Sequence, residues 1–122
     1  MVHILILEDD PQFRKLLARI LLEDGYNVET ACNGKDGLRI FNANPADVVI
    51  TDILMPEMDG IEVIRRLAKH HTKPKFLAIS GGSYNMPARL NLDVAALLGV
   101  SRTLAKPFSP VEFKSAVFQM LQ

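Results

Sequence analysis

The chain has one cysteine, Cys32, so no intrachain disulfide can form. A lone thiol without a disulfide framework fits a reducing, cytoplasmic setting. Net charge is missing too, because 14 Lys and Arg balance 14 Asp and Glu. A chain with no excess of one sign lacks a broad electrostatic grip on nucleic acid or anionic lipid, and neither is expected as a partner. Long apolar runs are absent. The strongest, Ile4 to Leu7, gives way at once to Glu8, Asp9 and Asp10, whereas a membrane-spanning helix needs about 20 apolar residues. The N-terminus carries no basic patch and no cleavage site, so no secretory leader is expected. Low-complexity tracts, internal repeats and Gly/Ser linkers are lacking as well. What is there is 122 residues, 48% apolar and 23% charged. That is the size and composition of one globular domain, expected to span 1–122 without an effector domain. A chain of this length buries roughly two thirds of its unfolded surface and needs no covalent staples.

Short β-branched runs alternate with helical patterns. Val2 to Leu7 reads as a strand buried on both faces. Asp10 offers an N-cap and Pro11 a first helical residue. Phe13, Leu16, Leu17, Ile20 and Leu21 follow as one apolar stripe, closed by Gly25. Further strands are expected at 27–31, 47–51, 75–79 and 102–104. Helices are expected at 35–42, burying Leu38 and Phe41, and at 61–70 and 87–98. The last helix starts near Ser109, with Phe113, Ala116, Val117, Met120 and Leu121 as its buried stripe. Five βα pairs with short joints predict an α/β fold, a doubly wound five-stranded parallel sheet with five helices.

In such a sheet, ligands sit beyond the carboxyl ends of the strands. The residues falling there are Glu8, Asp9 and Asp10 after the first strand and Asp52 after the third. Ser80 follows the fourth strand and Lys106 the fifth. Carboxylates gathered on one edge repel one another and call for a counter-charge. Mg²⁺ suits them, being hard and oxygen-seeking. A carboxylate can also accept a phosphoryl group. A metal and a lysine can neutralise the transferring charge, and a hydroxyl such as that of Ser80 can donate to it. Each piece has a plainer reading. The acidic triplet is a favourable helix N-terminus, and Asp52 could be a turn cap. Ser80–Ser83 could be only a loop, since it lacks the lysine of a P-loop, and Lys106-Pro107 could simply end a strand. His3, His70 and His71 have no metal-like spacing. Cys32 is expected to be a small buried residue at a strand end.

Three strings carry a family resemblance. They are Ile4-Leu5-Ile6-Leu7-Glu8-Asp9-Asp10, Thr51-Asp52-Ile53-Leu54-Met55-Pro56-Glu57-Met58-Asp59-Gly60, and Leu104-Ala105-Lys106-Pro107-Phe108. In this order and over essentially the whole chain, the sequence resembles the receiver domain of two-component response regulators. The resemblance implies a flavodoxin-like sheet of order 2-1-3-4-5, an order for which a receiver is itself a standard example. It implies Asp52 as phosphoacceptor, with Ser80 and Lys106 contacting the phosphoryl group. It also implies Mg²⁺ held by Glu8, Asp9, Asp52 and the backbone carbonyl of Leu54. Asp10 falls outside the acidic pair and keeps its N-cap role. The Lys106-Pro107 bond is cis by analogy. The implied phosphodonor is a phosphohistidine on a sensor histidine kinase or a phosphotransfer protein. The implied output is a changed surface of the fourth helix, fifth strand and last helix, read by a downstream protein or a second copy of the chain.

Two departures from the family pattern bear on output. The position three before the lysine, usually aromatic, is Thr103. The segment between Ser80 and Lys106 is longer than usual by about one helical turn, within 81–90. Val111 and Phe118, seven residues apart on the last helix, point away from its buried stripe. With Thr103, and with Met86 and Leu90 nearby, they form a candidate partner face. Rival classes fit less well. A Mg²⁺-dependent phosphohydrolase would want a second Asp where Leu54 stands. A dinucleotide-binding domain would want a glycine-rich turn where the acidic triplet stands. A receiver that serves only as an unphosphorylated scaffold would have no need of Ser80 and Lys106.

Overall fold

The computed structural model describes residues 1–81 and 99–122. Five strands alternate with four helices among the described residues. In chain order these are β1 (His3–Leu7), α1 (Pro11–Glu23), β2 (Asn27–Ala31), α2 (Gly34–Ala43) and β3 (Val48–Asp52). Then come α3 (Gly60–Leu67), β4 (Lys75–Ser80), β5 (Arg102–Ala105) and α4 (Pro110–Met120). The expected helix at 87–98 lies outside the described residues, as do Met86 and Leu90. No described helix is long and apolar enough to cross a membrane.

All strands run parallel in the order β2-β1-β3-β4-β5, as expected. The alternation of side chains along the central strands divides the core in two. Leu5, Leu7, Val49, Phe76 and Ala78 face α2 and α3, where Phe41, Val63, Ile64 and Leu67 cover them. Ile4, Ile6, Val48, Ile50, Leu77 and Ile79 face the other way. Leu17, Ile20 and Leu21 of α1 and Phe113, Ala116, Val117 and Met120 of α4 cover that side. Burial on both faces is why β1 and β3 read as unbroken apolar runs.

The helix starts follow the capping residues. Asp10 accepts the backbone N–H of Gln12 at 3.0 Å. Asn33 accepts that of Asp36 at 2.8 Å and Asp59 that of Glu62 at 2.9 Å. Ser109 and Glu112 form a reciprocal capping box at the start of α4.

Two expectations are corrected. Leu16 is 48% exposed rather than part of the buried stripe, because α1 rolls so that Leu17, Ile20 and Leu21 face the sheet. Cys32 is exposed, not buried. It sits past the end of edge strand β2, where the chain turns into α2 and the thiol meets the polar side chains of Asn33 and Asp36 at 3.5 and 3.8 Å.

Candidate functional site

The site is built at the carboxyl ends of the three central strands and β5. Asp52 is the last residue of β3, which lies between β1 and β4. Asp52 is 6% exposed. The backbone around it is tightly fixed. Thr51 Oγ1 donates to the Asp52 carbonyl at 2.9 Å. Ile53 N–H donates to Ile79 O at 2.8 Å, and Gly60 N–H to Ile53 O at 2.8 Å. Gly60 can close this loop only without a side chain, since a Cβ there would lie 2.2 Å from the Asp52 carbonyl oxygen. Glu57, in the same loop, adopts a left-handed φ of 69°.

Glu8 follows β1 and is 2% exposed. Its N–H donates to Ala31 O at 3.1 Å, and its carbonyl accepts Arg14 Nη1 at 2.9 Å. Its carboxylate accepts Asp10 N–H at 3.1 Å. Lys106 follows β5, where its N–H donates to Ser80 O at 2.8 Å and its peptide bond to Pro107 is cis. The Lys106 ammonium reaches back across the edge. It donates to Asp52 Oδ2 at 2.8 Å and to Glu8 Oε1 at 3.2 Å. The other Asp52 oxygen, Oδ1, accepts Leu54 N–H at 3.1 Å. Ser80 ends β4 and is fully buried.

One oxygen from each of Glu8, Asp9 and Asp52 lies within 4.8 Å of the others. Among the described residues, three carboxylates share this space with one ammonium, and the crowding shows in the proton affinity of Glu8. Burial pushes the Glu8 carboxyl up to about 7, with Asp52 and a hydrogen bond to Asp9 adding to it. Asp10 N–H and Lys106 only partly oppose this. Burial pulls the Lys106 ammonium down, but its hydrogen bond and charge contact with Asp52, then Glu8, outweigh it, and the net direction is up. The cluster suits a hard divalent cation on its donor chemistry: all three groups are carboxylates, and burial leaves one of them holding a proton near neutrality.

Of the six residues read from the strand ends, the structure brings the side chains of Glu8, Asp9, Asp52 and Lys106 together, and Ser80 stands beside them at the end of β4, where its carbonyl accepts Lys106 N–H. Asp10 caps α1, as expected. Thr103, Val111 and Phe118 are not part of this site. Val111 and Phe118 are 71% and 59% exposed on the outer face of α4, and Thr103 is exposed on β5. Sequence reasoning missed Phe13, which it took only as core stripe. Lys106 Nζ stands over the Phe13 ring, 4.6 Å from its centroid. The available signal was position, since Phe13 lies on the first turn of the helix that follows the acidic triplet.

The response regulator receiver domain family matches residues 4–118. The response regulator receiver protein CpdR of Brucella abortus is 34% identical over 121 residues, covering 99% of this chain and 98% of that protein. The probable transcriptional regulator ycf27 of Cyanidium caldarium is 32% identical over 98% of this chain. The sensor kinase CckA of Brucella abortus is 36% identical, also over 98% of this chain. The chain spans 46% of the ycf27 protein's length and 12% of CckA. Among solved structures, a response regulator receiver domain protein from Clostridium thermocellum superposes with a TM-score of 0.87 at 28% identity. That match covers 99% of this chain and 94% of the other.

Proposed function

The chain belongs to the response regulator receiver domain family, and from that premise we propose that Asp52 accepts a phosphoryl group from a phosphohistidine donor. The carrying observation is the 2.8 Å contact between Lys106 Nζ and Asp52 Oδ2 inside a carboxylate cluster of metal-holding type. An Asp52 oxygen forms the new O–P bond as the N–P bond of the donor breaks, and the electron pair of that bond returns to the imidazole. Lys106 passes from the carboxylate to a phosphoryl oxygen, and the Ser80 hydroxyl donates to another. Glu8, Asp9, Asp52 and the Leu54 carbonyl are the residues that would hold Mg²⁺. When bound, it supplies positive charge against the phosphoryl oxygens.

The proposed donor is a sensor histidine kinase or a histidine phosphotransfer protein, in line with the likeness to one segment of a sensor kinase. The role is that of a signalling phosphoacceptor, not of a turnover enzyme. The proposed output surface comprises Thr103, Val111 and Phe118, read by a downstream protein. Its support is the pair of exposed apolar side chains on α4.

Intact-mass spectrometry with a small phosphodonor tests the reading. Wild type should gain one phosphoryl mass only when Mg²⁺ is present, and Asp52→Ala should gain none. Equal adduct on both proteins would overturn it.

A further inference from the structure

Resting on the phosphoacceptor reading above, we propose that Phe13 is a positioning residue for the phosphorylation step, holding the Lys106 ammonium at Asp52 through its ring face. An ammonium has three donors. Two contacts of Lys106 Nζ are carboxylate oxygens, at 2.8 and 3.2 Å. On a further side stands the Phe13 ring, its centroid 4.6 Å from Nζ. The negative face of an aromatic ring attracts a cation, and does so more strongly where water is partly excluded. Here the lysine side chain is 29% exposed, and its carboxylate partners 2% and 7%.

The ring is itself held. Phe13 packs edge-on against Phe108, with centroids 5.8 Å apart at 61°. Phe108 stacks on Phe113 at 5.7 Å and 27°, and Phe113 is fully buried beneath α4. A ladder of three rings thus runs from the core to the lysine. The lysine stem passes close beside Gly81, where a Cβ would come within 3.2 Å of Lys106 Cδ. Lysine is among the side chains that lose most rotamer freedom when fixed. Fixing it before the phosphodonor arrives removes that cost from the reaction step. An aliphatic residue at position 13 would fill the volume but lack the ring's field, and the ammonium would turn to water.

The test compares wild type with Phe13→Leu, Phe13→Met and Phe13→Tyr. Lysine labelled with ¹³C at Cε gives a Lys106 signal from the carbon bonded to the nitrogen that stands over the ring. The protons on that carbon should be shifted upfield in wild type and Phe13→Tyr and return to the ordinary position in Phe13→Leu and Phe13→Met. Adduct formation from acetyl phosphate at saturating Mg²⁺ should be unchanged in Phe13→Tyr. It should be about two- to fivefold slower in the aliphatic variants, at equal helical content by circular dichroism. The second aliphatic variant keeps the test open if the first folds poorly. An unshifted Lys106 signal in wild type overturns the proposal, and so do aliphatic variants that react at the wild-type rate. A wild type that takes no adduct at all overturns the phosphoacceptor reading, and the proposal with it.

Discussion

Metal-free protein should lose stability as pH rises from about 5 to 7, and Glu8 should account for the loss. Its carboxyl moves from an ordinary 4.5 to about 7, first because it is buried and then because Asp52 and Asp9 are close. Below pH 4.5 both the folded and the unfolded chain hold the proton, and Glu8 costs nothing. Between 4.5 and 7 the unfolded chain has ionised while the folded one still binds the proton. Stability therefore falls with rising pH, at up to about 1.4 kcal/mol per pH unit. Above 7 both states are ionised and the slope from this group ends. The full difference is on the order of 3 kcal/mol, a large share of the ~5–15 kcal/mol that holds a domain together.

Two other shifted groups among the described residues stay out of this window. Lys106 is raised above 10.5, so it is charged in both states throughout, and the stability it adds is lost only as pH rises through its folded value. Glu62 is lowered below 4.5, chiefly by its hydrogen bond to Arg66. Its contribution is complete above 4.5 and is lost only as pH falls through its folded value. Urea denaturation in EDTA at half-unit steps from pH 5 to 8, on wild type and Glu8→Gln, isolates the effect. The difference between the two proteins should change by on the order of 3 kcal/mol across the range and level off near pH 7 to 8. A difference that stays constant from pH 5 to 8 refutes the reasoning.

Millimolar Mg²⁺ should raise the melting temperature, and by more at pH 8 than at pH 6, because the cation must displace the Glu8 proton; thermal scans at the two pH values check this. Gly60→Ala should destabilise by about 3 kcal/mol or more, since its Cβ would stand 2.2 Å from a backbone oxygen; a urea midpoint within error of wild type would contradict that contact. Leu54 stands two residues past Asp52 with an apolar side chain that is 37% exposed and holds no water by hydrogen bond, so Leu54→Asn should speed loss of the phosphoryl group several-fold in a decay time course. Phe118→Glu should leave adduct formation intact and weaken self-association or partner capture of the phosphorylated form, read by sedimentation and pull-down.

Much of the fold was legible because its signals are local. The run from Ile4 to Leu7 is apolar at every position because both faces of β1 are covered. Asp10-Pro11 and Ser109-Pro110 start helices through caps that need only adjacent residues. The buried stripe of α4 follows the helical period, with Phe113, Ala116, Val117 and Met120 inside and Val111 and Phe118 outside. Errors arose where burial depends on what covers a residue. Leu16 fits the period of α1 but lies at the margin of its buried face, and Cys32, a small residue at a strand end with no basic or His partner nearby in sequence, looked like core but is exposed. The site was legible only through topology. Lys106 is 98 positions from Glu8 and 54 from Asp52, and no local pattern joins them. The contact of Phe13 with Lys106 was not legible at all, because an aromatic residue on a helix stripe looks the same whether its ring meets a leucine or an ammonium.

The geometry of the edge sets how the Lys106 ammonium is shared. One ammonium serves two buried carboxylates and serves them unequally, at 2.8 Å for Asp52 and 3.2 Å for Glu8. In a medium of low polarity such a difference counts for more than it would in water. Asp52 has a second donor in Leu54 N–H at 3.1 Å, and Glu8 has Asp10 N–H at 3.1 Å. The ammonium thus leans toward the residue proposed as nucleophile. Strand register sets that lean. Asp52 lies opposite Ile79, and Ser80 lies opposite Ala105, which places Lys106 one step beyond the sheet edge with Ser80 O accepting its N–H at 2.8 Å. A shift of β5 by one residue would turn the lysine to the other face of the sheet and strand both carboxylates. The parallel pairing of β4 and β5 is therefore as much a part of the site as the carboxylates themselves.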